Sequence, residues 1–229
     1  MTTNREEAVS LDNPRATWPP WPPEIPPLHP PGRPGEPAEP PPPAPVPILP
    51  TWREPDVRDR DLTDRLLELR VIVLGGRLDD AAADRVTAQL LLLGARDDRP
   101  IELQLACTDA DLEASLALAA AVDLVEAPVH AVVRGMLRGP AVAVLCAAQQ
   151  RAAHRHAMFV LSLPPFSGAG TAGQLAVLAE QHERQVATLR DIVARTTGHS
   201  ASGVAADLEA GRMLTAEEAM RYGLVDRLR

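Results

Sequence analysis

Proline is distributed so unevenly that it divides this chain into two segments of different composition. Nineteen of the 24 prolines precede residue 58, and they dominate the stretch from Trp18 to Pro50. Proline fixes φ and has no backbone N–H to donate, so this stretch can form neither helices nor the ladders of a sheet. We expect residues 1–57 to form a disordered or polyproline tail and residues 58–229 to fold as one domain.

Two tryptophans interrupt the proline-rich tail. Trp18 and Trp21 each precede a Pro-Pro pair. A tail of proline and small polar residues alone would act as a solvated spacer, whereas exposed aromatic side chains can anchor a segment in a partner. The sequence leaves a spacer and a docking arm open.

The charge balance argues against several classes of function. The formal net charge is −8, and every basic side chain is an arginine. Binding to a phosphate backbone needs an excess of basic residues, so we expect no nucleic acid partner. The sequence begins without an apolar signal segment, and its apolar stretches are too short for a membrane span. We therefore expect a cytoplasmic protein without membrane contact. Cys107 and Cys146 lack metal-ligand spacing, so no metal or cofactor is expected.

From residue 58 onward, apolar strands alternate with helices. Three of the four strands end at glycine or proline, and apolar residues recur in the helices at steps of three or four. The pattern predicts strands at 70–76, 100–107, 128–135 and 156–163, and helices at 80–95, 109–125, 138–149 and 171–197. Repeated strand–helix units of this kind indicate an α/β fold with crossover connections.

The C-terminal segment carries the clearest local signals. Gly198 is expected to end the long helix at 171–197. Thr215 followed by Glu218 is a capping box, and Gly223 is expected to end that short helix. The last residues, LVDRLR, are predicted to close the chain as a strand.

The turn after the third predicted strand raises the question of chemistry. Gly135 and Gly139 bracket Met136, Leu137 and Arg138, and an Ala/Val-rich helix follows. Many α/β enzymes hold a nucleophile at such a turn, because amides at a helix N-terminus favour developing negative charge. The three bracketed residues include no Ser, Thr or Cys. The turn is therefore predicted to lack a nucleophilic side chain.

Three other patterns offer weaker chemistry. Gly75-Gly76 lacks the other residues of a dinucleotide or phosphate loop, so we interpret it as a plain turn. Asp79 is best explained as the N-cap of the next helix. His154 and His156 would lie on one side of a strand, which is compatible with metal binding but brings no third ligand.

Taken in order, these segments resemble the proteolytic subunit of the Clp protease, a family of serine peptidases. The resemblance lies in VIVLGGRLDD followed by VTAQLLLL, in TTGHS after the long helix, and in MLTAEEAMRYGLVDRL near the C-terminus. It covers roughly Leu66 to Leu228 and leaves the tail outside. It implies an α/β fold of the ClpP-like and crotonase-like type, a spiral of strand–helix units with helix 171–197 as a protruding handle.

The resemblance also implies where catalytic residues would stand. Members of the family use a Ser–His–Asp triad, and here Leu137, Ser162 and Gly211 stand at the three positions. The family's oxyanion-forming Gly-Gly pair is matched by Asp109 and Ala110. Leucine has no nucleophilic atom, and serine cannot accept a proton near neutral pH. A carboxylate at the oxyanion position would repel the developing charge.

These replacements predict a catalytically inactive homologue of the Clp proteolytic subunit. Such a pseudo-enzyme would act as a structural or regulatory ring subunit in ATP-dependent proteolysis. The family forms stacked rings on which AAA+ unfoldases dock. The expected partners are therefore active Clp proteolytic subunits and an AAA+ unfoldase, in a homo- or hetero-oligomeric double ring.

Three alternatives stay open. An active Clp-type serine endopeptidase would need a shifted site, with Ser162 or Ser167 as nucleophile and His154 or His156 as base. Six residues of strand would separate His156 from Ser162 by about 20 Å, which argues against that pair within one subunit. A crotonase-like acyl-CoA enzyme would share the spiral fold. A stand-alone scaffold would act through its proline-rich tail.

Overall fold

A computed structural model of the chain describes residues 57–166 and 168–229. The tail prediction, with Trp18 and Trp21, and the candidate nucleophile Ser167 lie outside these residues and stay predictions. The helices and strands follow one another along the chain in this order: α1 (Val57–Glu68), β1 (Val71–Leu78), α2 (Asp80–Gly94), β2 (Ile101–Ala110), α3 (Leu112–Leu124), β3 (Val129–Val133), β4 (Met136–Arg138), a 3-10 turn (Gly139–Ala141), α4 (Val142–Ala147), β5 (Gln150–Ala153), β6 (Met158–Leu161), α5 (Ala172–Thr197), α6 (Ala201–Ala210), β7 (Arg212–Thr215), α7 (Ala216–Tyr222) and β8 (Arg227–Leu228).

The larger sheet is parallel throughout and has the order β1-β2-β3-β5-β8. Along β2, Ile101, Leu103 and Leu105 are fully buried, whereas Glu102 and Gln104 between them are half-buried. Helices α2, α3 and α4 pack in a row, and their apolar side chains form one core cluster with the inward-facing strand residues. The predicted α/β architecture with crossover connections is confirmed.

The smaller sheet has the order β4-β6-β7. Strand β4 runs parallel to β6, and β7 runs antiparallel to it. Opposite one another across the three strands lie Leu137, Phe159 and Leu214, all buried in the core. This sheet therefore packs one face inward and leaves the other face open.

Several predicted boundaries were wrong around the strand ends. The bracketed residues Met136 to Arg138 form strand β4 rather than a turn, and the helix after them begins at Val142 rather than Arg138. Strand β2 continues to Ala110, so α3 begins at Leu112 rather than Asp109. Strands β5 and β7 and helices α1 and α6 were not predicted as separate elements. Short segments flanked by glycine resemble turns in the sequence, but pairing with neighbouring strands makes them β-strands in the folded chain.

Helix α5 confirms the expected handle. The side chain of Thr171 accepts a hydrogen bond from the backbone N–H of Gln174, and the side chain of Gln174 accepts one from the backbone N–H of Thr171. Gly198 ends the helix at φ 75°, a left-handed conformation that glycine adopts without a Cβ clash. The helix has 26 residues and is roughly 39 Å long. Its fully buried side chains, Leu189 and Val193, belong to its C-terminal half, so the N-terminal half protrudes.

A buried arginine joins the start of the large sheet to the end of α2. The side chain of Arg70 is 7% exposed, and it pairs with Asp97 at 3.1 Å. Its guanidinium also donates to the carbonyls of Leu93 (3.0 Å), Asp97 (3.2 Å), Arg99 (2.7 Å) and Pro100 (3.3 Å). Arg70 itself adopts a positive φ of 58°, which is uncommon for a residue with a side chain. These contacts satisfy carbonyls of the connection between α2 and β2, together with one carbonyl in the last turn of α2.

Replacement of Arg70 by leucine is expected to destabilise the fold by about 2–4 kcal/mol, because it leaves several inward-facing carbonyls without their guanidinium donor and removes the buried ion-pair partner of Asp97. Urea denaturation followed by circular dichroism measures this change. Arg99→Leu is the matched control, since Arg99 pairs with the same Asp97 but has a side chain that is 72% exposed. A control variant that lost as much stability as Arg70→Leu would contradict the role given to the buried guanidinium.

Candidate functional site

The open end of the small sheet gathers two of the three expected triad positions. Ser162 directly follows β6, and Gly211 directly precedes β7. Leu161 and Arg212 are paired across these antiparallel strands, so Ser162 and Gly211 lie one step beyond that pair. The folded chain therefore brings together the positions that the resemblance assigns to the base and the acid.

The residue that faces Ser162 from the turn after β4 is Gly139. A Cβ atom on Gly139 would lie 3.5 Å from the Ser162 hydroxyl oxygen and 3.6 Å from the Ser162 carbonyl oxygen. Gly139 has φ 58° and begins the 3-10 turn between β4 and α4. A side chain at this position would point at the base position from a strained strand-to-helix turn, which is the geometry that exposes a nucleophile in many hydrolases.

Leu137 does not face Ser162. It lies in β4 opposite Phe159, with its side chain fully buried in the core. Phe159 precedes Ser162 by three residues, which is about 10 Å along a strand. Sequence reasoning missed Gly139 because it placed a turn where β4 stands. A signal was present, since Gly139 stands just before a proline that suits the first turn of a helix, and glycine is the residue that most readily adopts the positive φ of 58° found there.

The backbone donors near this turn are either occupied or missing. The N–H of Ala110 donates to the carboxylate of Asp109 at 3.0 Å, and the N–H of Asp111 donates to the carbonyl of Leu78 at 2.9 Å. Pro140 follows Gly139 and has no N–H at all. The amide after a nucleophile is a usual oxyanion donor, and here that position is a proline.

Comparisons with known proteins identify the family. The model of the Clp protease family matches residues 54–229. The chain belongs to the Clp protease family. It is 35% identical over 178 residues to the ATP-dependent Clp protease proteolytic subunit 3 of Rhodococcus jostii, with 76% of this chain and 88% of that protein covered.

Two further relatives have similar coverage. One is a Clp protease proteolytic subunit-like protein of Streptomyces coelicolor, 37% identical over 190 residues, with 79% of this chain and 90% of that protein covered. The other is proteolytic subunit 2 of Nocardia farcinica, 32% identical over 166 residues, with 71% and 82% covered. The match favours the Clp interpretation over the crotonase-like alternative.

Near the turn at Gly139, an ion-pair cluster joins the ends of β1 and β2. Arg77 contacts Asp109 at 3.2 Å and Asp111 at 2.7 Å. All three side chains are well exposed, so the pairs themselves contribute little to stability. They do fix the Asp109 carboxylate beside the Ala110 amide. The cluster lines a cleft of about 380 Å³ that α5 borders with Leu178 and other residues.

Gly211 is held by a polar network around Asp207. Asp207 accepts hydrogen bonds from the Tyr222 hydroxyl at 2.7 Å and from Arg212 at 2.9 Å. The ring of His199 stacks on Tyr222 with centroids 4.2 Å apart. Burial alone would raise the pKa of Asp207, but the hydrogen bonds from Tyr222 and Arg212 outweigh it and lower the pKa. Burial and the Asp207 carboxylate raise the pKa of Tyr222 far above its usual range. Gly211 ends α6 at φ 65°.

The remaining candidates from the sequence are a helix cap and a pair of histidines. Asp79 caps α2 by accepting from the N–H of Ala82 at 2.9 Å, as predicted. The rings of His154 and His156 lie 5.3 Å apart. Among residues 57–166 and 168–229, no group of three or more His, Cys, Asp and Glu side chains is arranged to hold a metal. Within the same ranges, no helix is long and apolar enough to cross a bilayer.

The two cysteines are poor nucleophiles. Burial raises the pKa of the Cys107 thiol to about 11 and that of the Cys146 thiol to about 12. Both are therefore protonated at neutral pH, and the thiolate is the reactive form.

The depressed pKa of Asp207 predicts a pH-dependent contribution to stability. A folded-state pKa below the ordinary value of 3.8 means that ionised Asp207 stabilises the fold above that value, and that the contribution is lost as the pH falls through the lower folded pKa. Asp207→Asn should therefore be destabilised at pH 7, with a deficit relative to the wild type that shrinks below about pH 4. Thermal melts from pH 7 to pH 2.5 measure it. Asp191→Asn, on the exposed surface of α5, is the control and should show no such convergence.

Proposed function

We propose that this chain is a catalytically inactive homologue of the Clp proteolytic subunit that serves as a structural or regulatory ring subunit. One observation carries the proposal. The position that faces Ser162 across the turn is Gly139, whose missing Cβ would lie 3.5 Å from the Ser162 hydroxyl. A glycine offers no nucleophile, and a serine at the base position offers no general base near neutral pH. In this proposal Gly139, rather than Leu137, is the vacated nucleophile position.

The state of the backbone donors supports the same conclusion. A triad without its nucleophile still retains a residual acceleration of about 10³–10⁴ over water, which comes largely from the oxyanion hole. Here Pro140 supplies no donor, and the Ala110 amide already donates to Asp109. An approaching substrate carbonyl would therefore meet a carboxylate instead of two amides. We infer that the residual acceleration is lost as well.

The alternative with a shifted active site receives little support from the geometry. His154 and His156 precede β6, whereas Ser162 follows it, so the whole strand separates them. Ser167 lies outside the described residues. Among residues 57–166 and 168–229, no imidazole lies at hydrogen-bond distance from Ser162 to act as its base.

The exposed apolar surface suits a subunit that packs against others. Val177 is 65% exposed, and Leu178 and Phe166 are 39% and 48% exposed, all around the protruding half of α5. Contiguous exposed apolar residues usually mark interaction sites. We propose that active Clp proteolytic subunits cover this surface in a mixed assembly, that an AAA+ unfoldase acts on that assembly, and that it works in the cytoplasm.

The purified wild-type chain is expected to show no serine peptidase chemistry. A fluorophosphonate probe should label no serine, and hydrolysis of a fluorogenic peptide should equal that of the buffer. Intact-mass spectrometry after probe treatment measures the first, and an active Clp subunit of the same host serves as positive control. A probe adduct on Ser162 or Ser167 would contradict the proposal and support the shifted active site.

Reinstalling the chemistry tests which position was vacated. A variant with Gly139→Ser, Ser162→His, Gly211→Asp, Pro140→Ala and Asp109→Gly should react with the probe at residue 139. Serine at φ 58° costs about 1–2 kcal/mol, so folding is checked by circular dichroism. The variant that keeps Pro140 and Asp109 should react roughly 10²–10³-fold more slowly, because it lacks the oxyanion donors.

The matched control moves the nucleophile by two residues. It carries Leu137→Ser in place of Gly139→Ser and is otherwise identical. Because the Leu137 side chain is buried opposite Phe159, this variant should stay unlabelled. Labelling of the control but not of the first variant would show that Leu137 is the vacated position.

A further inference from the structure

Two exposed histidines lie together on the short connection between the two sheets. His154 and His156 stand between β5 of the larger sheet and β6 of the smaller one. They lie on a tight turn rather than along one side of a strand, as the sequence predicted. Their ring centroids are 5.3 Å apart, and the ring planes are tilted by 49°. The proposed function uses neither side chain, so the pair is free for another role.

The fold holds the backbone of this turn in place. The N–H of His154 donates to the carbonyl of Val133 at 2.7 Å, and the N–H of Ala157 closes the turn by donating to the carbonyl of His154 at 2.8 Å. The N–H of Met158 then donates to the carbonyl of Gly135 at 3.1 Å. Both imidazoles therefore project from a fixed backbone, and little ordering is needed to bring them to one ligand.

The separation of the two rings fits two imidazoles on one metal ion. With metal–nitrogen bonds of about 2.0–2.1 Å, two imidazoles at a tetrahedral angle have ring centroids roughly 5.2 Å apart. The observed separation of 5.3 Å agrees with this value. The two side chains can therefore share an ion without a large movement of either ring.

The hydrogen bonds of the turn leave ring nitrogens available. Neither ring nitrogen of His156 has a hydrogen-bond partner in the part of the chain that the structure describes. Nδ1 of His154 accepts the backbone N–H of His156 at 3.3 Å, which is a long bond. A neutral imidazole binds a metal through its unprotonated nitrogen, so an ion would replace this N–H at Nδ1. The exchange costs little, because the freed N–H lies on an exposed turn where water can reach it.

Most of the positive charge near the turn is directed elsewhere. Arg229 pairs with Glu102 at 3.1 Å. The guanidinium of Arg134 lies beside β1, since a Cβ on Gly75 would be 3.7 Å from one of its nitrogens. Arg155, between the two histidines, is exposed and has no hydrogen-bond or ion-pair partner within residues 57–166 and 168–229. Its flexible side chain can extend into water, away from a bound cation.

We propose that His154 and His156 form a surface site for one divalent transition-metal ion of the Zn²⁺, Ni²⁺ and Cu²⁺ class. Imidazole nitrogens suit these ions, whereas Mg²⁺ and Ca²⁺ take oxygen ligands. The two imidazoles supply two ligands, and water fills the other positions. The turn joins the larger sheet to the smaller one, so a bound ion stabilises that connection. The site goes beyond the proposed function and does not depend on it.

Calorimetric titration of the untagged full chain tests the ligands. Ni²⁺ and Zn²⁺ should bind, and Mg²⁺ should not. His154→Gln and His156→Gln should each weaken Ni²⁺ binding about 10²-fold, because the remaining imidazole loses a second ligand held beside it. His182→Gln is the matched control, since that ring lies on α5 against Phe166. Unchanged affinity in His154→Gln, or an equal loss in His182→Gln, would overturn the site.

Electron paramagnetic resonance counts the ligand nitrogens directly. The wild-type chain with one equivalent of Cu²⁺ should show coupling to two imidazole nitrogens, and His156→Gln should show coupling to one. The same two-nitrogen spectrum in both proteins would place the ion elsewhere and overturn the proposal.

The charge of Arg155 tests the location of the ion. Arg155→Gln removes a cation from the same turn and should strengthen Ni²⁺ binding about two- to fivefold, because the repulsion between exposed charges a few ångströms apart is modest. Arg190→Gln on α5 is the control and should leave the affinity unchanged. Unchanged or weaker binding in Arg155→Gln would place the ion away from this turn and overturn the assignment.

Thermal melts test whether the folded turn is the site. An ion that prefers the folded chain shifts the unfolding equilibrium, so saturating Ni²⁺ should raise the melting temperature of the wild type. The same Ni²⁺ concentration should leave that of His154→Gln nearly unchanged. Equal shifts in the two proteins, or no shift in the wild type, would overturn a site formed by the folded turn. None of these outcomes bears on the inactivity of the subunit, which the serine probe tests separately.

Discussion

Strand β6 is paired on both sides, and that pairing sets the geometry of the region around Gly139, Ser162 and Gly211. On one side β4 sets the position of Gly139, and on the other β7 sets the position of Gly211. The same register turns Leu137, Phe159 and Leu214 into the core. The side chains that hold the sheet and the positions that would do chemistry are thus separated by the alternation of strand residues. A subunit can lose its chemistry at the strand ends without losing the sheet.

In the inactive subunit that we propose, the loss of chemistry would extend from side chains to the backbone. Replacing side chains alone would leave an intact set of donors and a partial catalyst. Pro140 removes one donor by its covalent structure, and Asp109 occupies another through a hydrogen bond that Arg77 helps to fix. In the proposed function, these changes would act on the transition state rather than on folding. Pro140 even suits the start of a helix, where no N–H partner is needed. Stability therefore places no pressure on the chain to keep the donors.

Long and locally encoded elements could be predicted from the sequence, whereas those defined by pairing could not. The capping box at Thr171 was not needed to predict α5, because its apolar spacing and Gly198 suffice, and Thr215 with Glu218 marks α7. Strand β4 has only three residues between glycines, too few for a period of two to appear. The site assignment depends on that strand. Without it, counting along the chain leads to Leu137, and only the register against β6 reveals Gly139 beside Ser162.

The glycines that remain show what the fold still requires of this turn and its surroundings. A Cβ on Gly223 would lie 3.1 Å from the carbonyl oxygen of Thr197, so the end of α7 packs directly on the end of α5. Gly139 combines a positive φ with a close approach to Ser162. A serine there would bear backbone strain that an active enzyme recovers as function. If residue 162 supplies no base, as we propose, that strain would bring no benefit, and glycine is the residue that relieves it. With glycine at residue 139, the turn thus keeps a backbone conformation that suits a nucleophile, but without the strain that a side chain would add.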